Sequence, residues 1–232
     1  ARGDEQGAQE WYQKAADLKK YFNEEWGVMP GDENGNYARA LSTDKVTKYN
    51  DFGKENSWFM PLKMITEPGE KNDKYLDFIK ANLADGIGTG ENAPSNIEAY
   101  TYIPDMFFLY NRGDDAWKWM KYILSVKDNP HERPIQGTNG DYPEISYTIV
   151  SQTVEGMMGV TPNAQEKTLS TVPRLPGEVG TVTLKYQEIG DNEINLTHNG
   201  NTESILTNTQ GADLSWEAQF YGAYAYIAVD GK

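Results

Sequence analysis

Apolar residues recur at steps of three and four through the first two thirds of the chain and alternate with polar ones through the last third. Trp11, Ala15, Leu18, Phe22 and Trp26 share one face, with charges between them, and predict an amphipathic helix over residues 5–26. Gly27 and Pro30-Gly31 stop it. The polar stretch that follows, 32–54, is too long for a bare connection and marks a candidate functional loop. Further helices are expected over 57–65, 72–83, 97–111, 115–126 and 145–158. Pro61 is tolerable only in the first turn of its helix. Arg112-Gly113-Asp114 is a short turn in which Asp114 can cap the next helix, so 97–126 reads as a helical hairpin. Trp117 and Trp119 cannot both face the core from one helix.

From about residue 165 the period becomes two. Val182–Tyr186, Glu193–Thr197, Ser204–Leu206, Leu214–Ala218 and Tyr224–Ala228 read as antiparallel strands, with turns at Gly190-Asp191, Asn199-Gly200 and Gln210-Gly211. The expected fold class is α+β in two parts, helical over 1–162 and a small antiparallel β-sandwich domain over 163–232. So small a β-domain depends on packing against its helical neighbour.

A hydrophobic fraction of 38% in 232 residues is ample for a core, and no apolar run approaches the ~20 residues of a membrane helix. The net charge of −14, without a basic stripe, argues against nucleic acid and anionic membranes as partners. No cysteine and only His131 and His198 exclude disulfides, thiol nucleophiles, Cys-ligated zinc and histidine-rich metal centres. The composition permits export without demanding it. The 15 Tyr, 7 Phe and 6 Trp change the picture most, because sugar rings present apolar C–H faces to aromatic planes while acids and amides take their hydroxyls. An acidic, aromatic-rich chain suits a neutral glycan. Core packing is the competing account of any single ring.

The words Ile87-Gly88-Thr89-Gly90, Tyr102-Ile103-Pro104-Asp105 and Leu109-Tyr110-Asn111-Arg112-Gly113 come in that order, followed by Tyr147–Pro162 and Val172-Pro173-Arg174-Leu175-Pro176. The glycine loop follows a helix and lacks a Lys-Ser/Thr ending, so it is not a phosphate loop. This succession resembles the C-terminal part of bacterial six-hairpin glycosidases of the α-L-rhamnosidase-like kind: a penultimate hairpin, the final barrel helix, and an arginine-proline link into a β-sandwich. The resemblance implies an α/α-hairpin toroid of which about three hairpins, half of an (α/α)6 barrel, are present. It further implies a secreted or periplasmic glycosidase that needs no cofactor and acts on a neutral plant or host glycan. The family's acidic catalytic-loop motif, with its general acid, has no counterpart here, and Pro130-His131-Glu132-Arg133 stands where a Trp-Glu-Arg-Trp-like segment is expected. Rhamnose is therefore not implied as the sugar. A missing N-terminal half, or self-association through exposed helix faces, is expected.

Glycoside hydrolysis needs two carboxyl groups flanking the bond. The candidates are acids in hairpin loops beside aromatics: Glu144, Glu55, Glu132 and Asp141 as catalytic groups, with Trp58, Tyr142, Tyr37 and Glu98 as substrate contacts. Glu144 leads, because Pro143 fixes its approach and the start of a helix favours the ionised form suited to a base. Its alternative is an ordinary helix-start acid. His131, a single histidine in a polar loop, reads as a surface residue. Two other classes stay open: a polysaccharide lyase using a tyrosine with a histidine or asparagine, and a non-catalytic glycan-binding or scaffold fragment.

Overall fold

The computed structural model describes residues 3–31, 35–49, 56–83 and 97–230. The described residues form six α-helices and three small sheets in an α+β arrangement, one two-stranded sheet lying between the first two helices and the others following the last: α1 Glu5–Tyr21, α2 Asn56–Leu62, α3 Glu70–Leu83, α4 Ile97–Leu109, α5 Gly113–Ser125 and α6 Pro143–Ser151. Two of these helices run on into π-helical turns, Phe22–Trp26 after α1 and Gln152–Met157 after α6. The expected single helix over 5–26 is thus an α-helix with a π-helical end. Pro61 lies near the end of α2 rather than in its first turn. The proline has no N–H to give the Ser57 carbonyl, and the Tyr75 hydroxyl donates there instead, at 2.7 Å. Asp114 does not cap α5; its carboxylate accepts the Gly177 N–H at 2.8 Å and ties the link to the helix.

α4 is buried on nearly every side and organises the helical part. Its start meets the end of α5, where Tyr100 stacks on Trp119 at 5.6 Å, so the two form an antiparallel hairpin. Trp119 is buried, whereas Trp117 is half-buried and donates its indole N–H to Glu178. α2 runs parallel to α4: Phe59 packs edge-on against Tyr102 and the Tyr110 hydroxyl donates to the Pro61 carbonyl at 2.9 Å. α6 is parallel as well. Tyr102 reaches Glu144 near both N-termini, and Phe108 lies on Gly156 near both C-termini, where a β-carbon would overlap the ring. The core joins Trp58, Tyr75, Leu76, Ile79, Ile103, Phe107, Trp119 and Met120. α1 contributes no buried residue to it, and Trp11, Leu18 and, on α6, Tyr147 and Val150 are largely exposed.

The strands are β1 Ala40–Leu41 and β2 Lys48–Tyr49, then β3 Thr161–Asn163, β4 Thr168–Thr171, β5 Thr181–Ile189, β6 Asn192–Asn199, β7 Glu203–Gln210 and β8 Ser215–Ala218. β5-β6-β7 form an antiparallel meander, and β6 buries alternate residues, as the period-two pattern requires. β3-β4-β8 form a second three-stranded sheet in which β4 and β8 are parallel, a departure from the all-antiparallel expectation. Tyr224–Ala228, expected as a strand, carries no strand pairing. The link from 172 to 176 is pinned to the helices: Arg174 Nη1 donates to the Gly156 carbonyl and Nε to Asn111 Oδ1, each at 3.0 Å. His198 is buried beneath the sheet, bonded to Ser204 and the Met158 carbonyl.

Candidate functional site

Polar residues on α4 recur at Glu98, Thr101, Tyr102 and Asp105, a stripe at helical spacing on an otherwise apolar helix. Glu144, Thr148, Gln152 and Glu155 do the same along α6 and its π-helical end. Because the two helices are parallel, the stripes meet as a polar seam. Tyr102 donates to Glu144 Oε1 at 2.7 Å, and Gln152 Nε2 donates to the Thr101 carbonyl at 2.5 Å. Farther along, Asp105 faces Gln152 and Glu155. Burial pushes the Asp105 carboxyl up to about 6, with Glu155 adding to the shift and Gln152 and Lys63 opposing it.

The N-terminal end of the seam is closed by the loop 127–142, which folds on its own backbone. Gly140 N–H donates to the Lys127 carbonyl at 2.7 Å, Asn139 N–H to Asn129 at 2.9 Å, and the buried Asn139 amide to Val126 at 2.9 Å. Asp141 accepts both the N–H and the hydroxyl of Thr138 at 2.9 Å, which holds its carboxyl below the usual range. That capping box commits Asp141 to shaping the loop. Its consequence is the placement of the next residue, Tyr142, whose phenol faces both Glu98 and Glu144. Lost solvation and the two carboxylates hold the Tyr142 phenol above its ordinary value.

Glu98 has further neighbours. His131 Nε2 and Arg133 Nη1 each lie 3.7 Å from its Oε1. The His131 side chain is fully buried and its ring packs against Tyr142 at 4.8 Å between centroids. This corrects its reading as a surface residue: a polar loop that turns back on itself can bury a ring that its composition alone assigns to solvent.

Of the candidates read from sequence, Glu98, Tyr142 and Glu144 come together. Asp141 supports them from the loop. Glu132 is exposed and takes part in none of these hydrogen bonds, and Glu55 lies outside the described residues. Trp58 is completely buried in the core and offers no face to a sugar. Tyr37 is likewise buried, between Phe22, the edge of Tyr75 and the Lys71 ammonium, and burial beside Glu67 and Tyr110 pushes its phenol up to about 12. Tyr102, His131, Arg133 and Asp105 were not among the candidates. The signal for Tyr102 and Asp105 was the i, i+4, i+7 polar spacing from Glu98 along a helix otherwise apolar.

No family model, curated protein or solved structure matches this chain.

Proposed function

We propose that this chain carries the base side of a glycoside-hydrolase site on an α/α-toroid scaffold, acting on a neutral glycan. The observation that carries the reading is the convergence of Glu98 and Glu144, from the N-termini of two parallel helices, on the phenol of Tyr142. Glu144 takes a proton from water as the water oxygen bonds to the anomeric carbon. The aglycone leaves with the electron pair of the broken C–O bond, protonated by an acid from outside these residues. Glu98 and Tyr142 accept and donate hydrogen bonds to sugar hydroxyls.

The scaffold part of the proposal rests on three parallel helices, α2, α4 and α6, with α5 folded back on α4. In a closed toroid the exposed face of α6, at Tyr147 and Val150, meets the next inner helix, and the exposed stripe of α1 is covered in the same way. The two three-stranded sheets are read as the faces of the β-sandwich.

The close contact of His131 with Tyr142 is what a lyase would also use. Two features weigh against that reading. A lyase needs a tyrosinate base, yet the Tyr142 phenol is raised, and two carboxylates beside it repel a uronate.

The test is a panel of 2,4-dinitrophenyl glycosides of neutral sugars, whose leaving group needs little help from an acid. Release of dinitrophenolate that falls at least about 100-fold in Glu144→Gln is expected. An unsaturated uronide formed from polyuronate would favour the lyase instead, and glycan binding without turnover the non-catalytic fragment.

A further inference from the structure

His131 is locked in one tautomer by its own loop. The Arg133 backbone N–H donates to its Nδ1 at 3.0 Å, so in the neutral ring the proton sits on Nε2. Nε2 is buried and has no hydrogen-bond partner among the described residues. It is turned toward Glu98 Oε1 at 3.7 Å, too far for a hydrogen bond but close enough for the N–H dipole to act on a carboxylate. The same ring forms a wall against Tyr142. One side chain therefore touches both groups that contact the sugar in the proposed site, while its burial keeps it from the sugar itself.

We propose that His131 is a positioning residue: its fixed Nε2–H and its ring hold Glu98 and Tyr142 in the arrangement that lets Glu144 act. The inference rests on the hydrolase reading. The charged and titratable groups facing Tyr142 are Glu98 from α4, Glu144 from α6, and, beside Glu98, His131 and Arg133 from the loop; Tyr102 faces it through Glu144.

Two substitutions divide the roles of the imidazole. Asn places an amide oxygen where Nδ1 stands and keeps the acceptor for Arg133 N–H, but has nothing at the Nε2 position. Gln reaches that position with an N–H and gives up the Nδ1 acceptor. With dinitrophenyl glycosides, His131→Asn should lower kcat by about 10- to 100-fold at nearly constant KM, while His131→Gln stays within about threefold of wild type. The reverse order, with Asn active and Gln impaired, overturns the proposal, because it leaves His131 only a role in closing the loop. Equal activity of both with wild type overturns it as well.

A second measurement does not depend on turnover. In 13C NMR with labelled tyrosine, assigned by Tyr142→Phe, the Tyr142 titration should move upward by about half a pH unit or more in His131→Asn, since Glu98 loses the dipole that offsets its charge. It should stay in place in His131→Gln. An unmoved titration in His131→Asn contradicts the proposal. If wild type and Glu144→Gln are both inert, the hydrolase reading fails, and the titration alone still decides whether His131 acts on the Glu98–Tyr142 pair.

Discussion

Replacing Asp105 by Asn removes the one carboxyl among the described residues whose titration is driven upward, from 3.8 to about 6, and the cause is burial in the seam between α4 and α6. The fold favours the protonated form. Stability linked to Asp105 is therefore complete below about pH 4, where folded and unfolded chains both hold the proton, and is lost as pH rises through about 6. At ~1.4 kcal/mol per tenfold change, ionising Asp105 in the folded chain costs about 3 kcal/mol more than in the unfolded one. This is an upper bound, since the group keeps some contact with water. About half of that loss, ~1.5 kcal/mol, falls between pH 5 and pH 8. Asp44, Glu70, Asp141 and Glu178 are shifted the other way and lose their contributions on the acid side of this window. Thermal unfolding followed by circular dichroism should show the wild-type Tm falling by about 3–6 °C relative to Asp105→Asn from pH 5 to pH 8. Parallel curves across that range, or an Asn variant that loses stability relative to wild type as pH rises, would refute the reasoning.

Gly156→Ala should destabilise the chain by about 1–3 kcal/mol, because the new methyl enters the space of the Phe108 ring; denaturant unfolding reads it, and an unchanged midpoint would show that the α4–α6 contact is looser than described. Tyr75→Phe should cost about 1–3 kcal/mol by leaving the Ser57 carbonyl without the hydroxyl that replaces the missing Pro61 N–H. The same unfolding experiment checks it, and a loss below ~0.5 kcal/mol would mean that water reaches the carbonyl.

Helices α3 and α5 were legible because each buries apolar residues at steps of three and four, Tyr75, Ile79 and Leu83 on the first and Ala116, Trp119, Met120 and Ile123 on the second, whereas the equally periodic stripe of α1 stays exposed. The β5-β6-β7 meander was legible for the same reason at period two, with Gly190 and Gly200 at positive φ in its turns. What failed was set by tertiary contact. The parallel β4–β8 pair joins residues far apart in the chain, which no local alternation reveals. Tyr224–Ala228 alternates like a strand and still lacks strand pairing, since pairing needs a partner edge as well as a pattern. In the candidate site, Glu144 and Tyr142 could be chosen from their place at a helix start in an aromatic loop. Trp58 and Tyr37 could not be separated from core aromatics by type alone, and burial decided against them as sugar platforms. His131 needed the fold of its loop, whose backbone bonds bring Gly137 and Arg133 around it.

The central claim, that Glu144 is the carboxylate acting at the anomeric centre beside Glu98 and Tyr142, is tested most directly by chemical rescue. Glu144→Ala is assayed on dinitrophenyl glycosides of neutral sugars with and without sodium azide. The account predicts that turnover is lost in the variant and returns with azide, with a glycosyl azide as product. Turnover in Glu144→Ala equal to that of wild type, or a loss that azide leaves unchanged and no glycosyl azide formed, would contradict it.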